Sequence, residues 1–383
     1  MKPYQLVIPT RIFWGRDIWR QALDELEPMI GGTILIVTTG RSLIRLGYVE
    51  ALKRHLEKYQ KVKNVTVFDR VSAEPRLSEA RESAALAKEI KADIILGFGG
   101  GSAIDTAKAA AAGAGTDDDI AEYFYQKKEP GKETLPVIAL PTTAGTGSEL
   151  SKAAILTDDE KKVKNGIRGA ALYPKAAIVD SLFTETVPFH ITMETGFDVV
   201  SHAVESYLSK AASPYTQMQS EYAAATAGEM LPRLAAGLQD AKARMEMSYV
   251  SMIMGINLGN ASTCLPHRMQ YPLGAATGTS HGRGLAALYP SWIEYEYPYS
   301  SGQVEKILGI LTRKKVQGRE ACVGAVREFL TKLRLPASLR ELGVDRSQLS
   351  ELAAGVAGNL ANDPAAQEEN IILKIYEKAW EEL

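Results

Sequence analysis

Cysteine is scarce in this chain, with only Cys264 and Cys322 among 383 residues. Two thiols cannot staple a protein of this size, so a disulfide scaffold is excluded and a reducing cytoplasm is the expected setting. Long apolar runs are missing as well; none approaches the ~20 residues that a membrane-spanning helix needs. The opening stretch, Met1 to Arg11, lacks the charged-then-apolar pattern of an export signal. There is no charge surplus either: 44 Lys and Arg stand against 46 Asp and Glu, a formal net charge of -2. A nucleic-acid partner is therefore not expected, because no basic excess is available to displace phosphate counterions. No internal repeat or low-complexity tract occurs.

What is present is enough chain for two domains, since single cores rarely grow past about 250–300 residues. The first half alternates β-branched runs with helical stretches. Thr33–Thr38, Val65–Phe68, Ala92–Phe98, Val137–Leu140 and Ala176–Val179 read as strands, with helices expected over Ser78–Lys91 and Ala103–Ala112. This alternation predicts parallel pairing through crossovers, a Rossmann-like α/β domain. After Pro188 the pattern turns helical, over Glu194–Ser209, Thr216–Gly228, Lys242–Asn260, Gln303–Leu311 and Gly318–Leu333. The expected division is an α/β domain over 1–184 and an all-α domain over 185–383.

Two loops follow strands. Gly99-Gly100-Gly101-Ser102 leads from a strand into a helix bearing Asp105, where glycines let the backbone approach a phosphate and the helix start offers free N–H groups. This is not the G-x-G-x-x-G fingerprint, and a tight turn is the plain alternative. Pro141–Glu149 (PTTAGTGSE) crowds hydroxyls and glycines after a second strand. Ligands of open α/β sheets bind beyond strand carboxyl ends, which favours a nucleotide reading for the two loops together.

Histidine is also rare, with five residues. Asp198 and His202 are spaced i,i+4, on one face of a helix and able to chelate one ion. His267 and His281 follow beside turn residues. A carboxylate with imidazoles suits Fe(II) or Zn(II) better than Mg or Ca. Histidines hydrogen-bonded within a core remain the alternative on residues alone, and His55 and His190 fit no pattern.

Taken together, Gly99–Lys108 (GGGSAIDTAK), Pro141–Glu149, Thr195–Tyr207 (TGFDVVSHAVESY), His281-Gly282 and Leu335–Val344 (LPASLRELGV) resemble the iron-containing (group III) alcohol dehydrogenases. That family sits in the superfamily that also holds glycerol dehydrogenase and dehydroquinate synthase, and the likeness covers nearly the whole chain. The resemblance implies an α/β nucleotide-binding domain, a helical metal-binding domain and an active site in the cleft between them. It implies Asp198, His202, His267 and His281 as metal ligands. It implies Gly99, Gly100, Gly101, Ser102 and Asp105 as the pyrophosphate turn and its support, and Thr142, Thr143, Thr146 and Ser148 as further cofactor contacts. Members commonly form homodimers or larger assemblies.

Two departures stand out. Where members carry a second histidine four residues after the third ligand, this chain has Tyr271, a poorer proton relay near neutrality because a tyrosine ordinarily titrates near pH ~10. Where NAD-preferring members carry an Asp that binds the ribose hydroxyls, it has Gly40, followed by Arg41. That pair tolerates a 2′-phosphate and points to NADP(H) over NAD(H). The implied chemistry is metal-assisted hydride transfer between the nicotinamide and a small alcohol or aldehyde. Arg268 and Arg283, each beside an implied ligand, and Lys152 beyond the second loop suggest a substrate with an anionic group, such as phosphonoacetaldehyde or sulfoacetaldehyde. A cyclase or lyase of the dehydroquinate synthase kind and a non-catalytic nucleotide-binding protein are the competing readings.

Overall fold

The computed structural model describes residues 3–39 and 41–381. The chain divides into two compact units, Ile8–Thr186 and Val187–Leu383 with Met1–Val7. The N-terminal segment joins the helical unit through Asn260, whose side-chain oxygen accepts from Val7 N at 2.8 Å and whose amide donates to Val7 O at 3.0 Å.

In the first unit the order is β1 (Arg11–Gly15), α1 (Trp19–Leu26), β2 (Gly32–Thr38), α2 (Arg41–Arg45), α3 (Tyr48–Leu56), β3 (Val62–Phe68) and α4 (Leu77–Glu89). Then come β4 (Ile94–Gly99), α5 (Gly101–Ala114), α6 (Ile120–Tyr125), β5 (Val137–Pro141), β6 (Ala153–Asp158), β7 (Val163–Arg168) and β8 (Ala176–Asp180). Six strands form one sheet in the order β1-β8-β5-β4-β2-β3, parallel throughout. The expected parallel α/β architecture is therefore found. Alternation along β2 sends Leu35 and Val37 to one face, with α4 and α5, and Ile34 and Ile36 to the other, with Trp19, Leu23 and Leu52. Covering both faces is what makes such strands read as unbroken apolar runs. α5 is buried from Ala103 to Gly113 without interruption, so the helix behind the glycine turn is itself core.

Three strands escape the sequence pattern. β1 is a half-exposed edge strand with Arg11 and Trp14, held by β8, about 165 residues away in the chain. β6 and β7 form an antiparallel hairpin outside the main sheet, and β7 carries Lys164, Asn165 and Gly166, a poor strand composition. Asp180, at the end of β8, accepts from the backbone N–H groups of Asp17, Ile18, Trp19 and Leu182 at 2.7–3.0 Å and so fixes where α1 begins.

The second unit is helical: α7 (Phe189–Leu208), α8 (Pro214–Ala236), α9 (Ala241–Asn260), α10 (Leu265–Thr277), α11 (His281–Thr312), α12 (Arg319–Leu333), α13 (Leu349–Ala354) and α14 (Ile371–Glu381). Starts are marked by side chains, Ser213 accepting from Thr216 N and Asp240 from Ala243 N. α10 and the first half of α11 were not expected as helices. Both carry prolines, Pro266 and Pro272 in one and Pro290 and Pro298 in the other. Pro266 sits in the first turn, where its missing N–H costs nothing; Pro298 precedes a break at Ser300, where φ is -142° and ψ 29°. Among the described residues no helix is long and apolar enough to cross a membrane.

Candidate functional site

α7 supplies two donors. Asp198 and His202 are one turn apart, and His202 Nε2 lies 3.5 Å from Asp198 Oδ1. His267 comes from the first turn of α10 and His281 is the first residue of α11; their Nε2 atoms lie 3.4 and 3.6 Å from the same Oδ1. The donor atoms of Asp198, His267 and His281 all lie within 4.8 Å of one another, and the His202 ring stacks on His267 at 4.6 Å. Such separations exceed normal hydrogen bonds. They match the ~3.4 Å between two ligands that each bind one ion at about 2.1 Å with tetrahedral angles.

The electrostatics agree with a cation. Among the described residues Asp198 Oδ1 and His267 Nε2 are buried without hydrogen-bond partners, an arrangement that is costly unless an ion completes it. Burial pushes the Asp198 carboxyl up, but His202, His281 and His267 outweigh it and hold it well below the usual carboxylate range. For His267 burial works downward, and Glu205 with Asp198 outweigh that and raise it to about 10.

The outward nitrogens are held too. His267 Nδ1 meets Glu205 Oε1 at 2.7 Å and His281 Nδ1 meets Gln270 Oε1 at 2.5 Å. Such partners fix ring orientation and tautomer and leave Nε2 for a metal. Glu205 also accepts from Cys264 N at 2.8 Å. Sequence reading missed both residues. Glu205 was findable, a carboxylate one turn beyond His202 in an otherwise apolar stretch; Gln270 carried no signal.

In the other unit the two loops lie against each other. Thr142 N donates to Gly99 O at 2.9 Å. A Cβ on Gly100 would stand 3.2 Å from Thr143 Oγ1, and one on Gly101 only 2.6 Å from Thr146 Oγ1 and 3.0 Å from its Cβ. Ser102 Oγ donates to Ala73 O at 2.5 Å. Asp105 and Ser148 turn inward: Ser148 Oγ donates to Asp105, whose other oxygen accepts from Ile155 N at 2.9 Å. The fully buried Lys108 ties them, donating to Ser148 Oγ and Ala153 O at 2.8 Å and to Ser151 Oγ at 3.2 Å. Burial pulls this ammonium below its ordinary value and Asp105 draws it part-way back, while burial pushes nearby Glu149 up to about 7. Neither Lys108 nor Glu149 was singled out from the sequence. Arg41 is exposed at the start of α2, and Gly40 lies outside the described residues. Because Thr146 packs onto Gly101, Gly101→Ala should push the two loops apart. The cofactor contact that the family resemblance implies here should then weaken roughly tenfold in KM, a loss of ~1.4 kcal/mol in binding. An unchanged KM in steady-state kinetics would show that this packing has no part in cofactor binding.

Residues 9–181 match the family described as iron-containing alcohol dehydrogenase, and residues 192–380 match the C-terminal family of Fe-containing alcohol dehydrogenases. This chain belongs to the iron-containing alcohol dehydrogenase family. It is 31% identical to long-chain-alcohol dehydrogenase 1 of Geobacillus thermodenitrificans, over 99% of this chain and 98% of that protein. Among solved structures it is similar to an archaeal Red Sea brine pool alcohol dehydrogenase, with a TM-score of 0.92 and 25% identity over 99% of this chain and 100% of that one. It is also similar to a sulfoacetaldehyde reductase from Bifidobacterium kashiwanohense in complex with NAD+, with a TM-score of 0.88 and 27% identity over the full length of both chains.

This family member is thus an oxidoreductase, and the cyclase reading is not favoured. Within its helical unit the dehydrogenase brings two further candidates, Arg268 and Tyr271, near His281. The Arg268 guanidinium lies 5.9 Å from the Tyr271 ring centre, and its Nε is buried without a hydrogen-bond partner among the described residues. Tyr271 in turn lies 6.4 Å from the His281 ring. Arg283, two residues after His281, is half-buried. Lys152 is exposed on the unit Ile8–Thr186, so the three cations are not gathered within one unit.

Proposed function

We propose that Asp198, His202, His267 and His281 hold Fe(II), with Zn(II) as the competing ion, and that the enzyme interconverts a small aldehyde and its alcohol using NADP(H) or NAD(H). The observation that carries this is the convergence of three imidazole nitrogens on one buried carboxylate oxygen. When bound, the metal supplies Lewis acidity to the substrate oxygen and the nicotinamide supplies or accepts hydride. The protein's own work is to orient the ligands through Glu205 and Gln270, to receive the cofactor phosphates at Gly99–Ser102 with Thr142, Thr143 and Thr146, and to hold that turn through Asp105, Ser148 and Lys108. Tyr271, beside His281, shapes the substrate pocket or hands a proton to the alkoxide. Arg41 is placed to meet a 2′-phosphate.

Substrate choice rests on Arg268 and Arg283, and Lys152 is the third candidate cation. Guanidinium groups recognise sulfonate, phosphonate or carboxylate as forks, and Arg268, whose Nε has no hydrogen-bond partner among the described residues, has capacity left for an anion. The likeness to a sulfoacetaldehyde reductase supports a small anionic aldehyde. The test is NADH and NADPH oxidation by protein loaded anaerobically with Fe(II), with sulfoacetaldehyde, phosphonoacetaldehyde and neutral aldehydes of matched size. The anionic aldehydes should be preferred. Arg268→Ala and Arg283→Ala should each raise their KM about 10- to 100-fold, the worth of a charge-assisted hydrogen bond, and leave neutral aldehydes unaffected. Preference for neutral aldehydes, with both variants unchanged, would refute the anionic substrate.

A further inference from the structure

The first amides of α10 are held by two buried carboxylates from distant parts of the chain. Cys264 N donates to Glu205 on α7, and Leu265 N donates to Asp363 Oδ2 at 2.9 Å. Asp363 Oδ2 also accepts from Trp292 Nε1 on α11 at 3.0 Å, and its Oδ1 accepts from Ala365 N at 2.8 Å. The same Ala365 N lies 3.1 Å from Glu296 Oε2, also on α11, so two fully buried carboxyls share one amide. The segment that carries Asp363 is itself fastened to the end of α7, with Lys210 N donating to Asn362 O at 2.8 Å and Lys210 Nζ to Asp363 O at 3.2 Å.

We propose that Asp363, supported by Glu296, is a positioning residue of the metal centre, clamping the start of α10 to α11. α10 brings His267 and the Gln270 that orients His281, and α11 brings His281 itself. Their separation therefore sets how well the ligands converge, and Asp363 accepts from both helices at once. Two ionised carboxyls cannot share a dry site. Burial pushes both carboxyls up. Asp363 accepts from three N–H groups, Leu265 N, Trp292 Nε1 and Ala365 N, where Glu296 shares only the last, so the geometry points to Asp363 as the anion and Glu296 as its protonated partner. Side chains that orient ligands from behind typically change metal affinity about 10- to 100-fold.

The inference rests on the metal reading above, and Zn(II) competition against a chromogenic chelator separates the two. The full chain, stripped of metal and assayed well below its melting temperature, should bind Zn(II); a parent that binds none overturns the metal reading itself. Asp363→Asn, which is uncharged and keeps only one acceptor oxygen for the three N–H groups, should bind about tenfold more weakly or worse. Glu296→Gln should stay within about twofold of the parent, because a neutral amide keeps the acceptor for Ala365 N. A merely structural role would lower the apoprotein melting temperature without changing affinity, and would not single out Asp363→Asn from Glu296→Gln. Equal affinity of Asp363→Asn and parent, or equal loss in both variants, overturns the proposal. Should Asp363→Asn fail to fold, Trp292→Phe withdraws a single donor and should weaken Zn(II) about threefold; unchanged affinity there overturns the proposal as well.

Discussion

Replacing His267 with alanine is expected to leave a protein that no longer retains metal and no longer turns over. Four ligands of this type bind zinc with ~10–16 kcal/mol, so one ligand is worth about 3 kcal/mol, roughly 100-fold in affinity. His267 should cost more than this share. Its removal leaves Glu205, which is fully buried, facing a gap where an imidazole stood at 2.7 Å, and a buried charge stripped of its partner is penalised by a further few kcal/mol. Glu205→Gln should give the milder result, about 10- to 100-fold weaker metal binding, because the ring loses its anionic partner and stays in place. Metal content after dialysis against a chelator, with reduction rate after reloading, reads both variants. Parent-like metal retention in His267→Ala would remove this residue from the ligand set.

Adding one carbon at Gly282 should damage the protein nearly as much, although Gly282 carries no chemistry. A Cβ there would stand 2.2 Å from Glu194 O and 2.6 Å from its carbonyl carbon. Those are backbone atoms of α7, and no rotamer change relieves them. α11 must retreat or its first turn must unwind, and either movement displaces His281, the preceding residue, from Asp198 and His202 on α7. Overpacking of this sort costs about 3 kcal/mol. In a unit of this size that is a drop in melting temperature of roughly 6–12 °C, with weaker metal binding alongside. Calorimetry and chelator competition on Gly282→Ala check both halves. A melting temperature within about 2 °C of the parent would show that the two helices can part cheaply.

How much of this was open to reading follows from the range over which each signal acts. The parallel sheet was legible because its central strands are unbroken apolar runs between helices, a pattern that tertiary contact does not disguise. Asp198 and His202 were legible for a similar reason, since one turn of one helix sets their spacing. His267 and His281 are candidates by their scarcity and their turn neighbours, with core histidines an open alternative on residues alone; the family likeness is what joins all four as ligands. The prolines that hid α10 and the first half of α11 are the same residues that start or bend those helices. Glu205, Gln270 and Asp363 act at long range in sequence, and their meaning appears only once the helices are packed. Asp105 and Ser148 were expected near the cofactor; the structure shows each committed to the other and to Lys108, which fits the support expected of Asp105 more directly than the cofactor contact expected of Ser148.

The unbroken burial of α5 from Ala103 to Gly113 bears on how such an enzyme can change over evolutionary time. A helix with no solvent-facing side offers almost no position where a mutation is neutral, and its alanines leave no volume to trade. The turn that opens it inherits that rigidity. The helical unit carries the same constraint in α7, buried from Gly196 to Leu208, so exchanges are easier at partly exposed positions such as 268, 271 and 283, where a side chain can change without reopening a core.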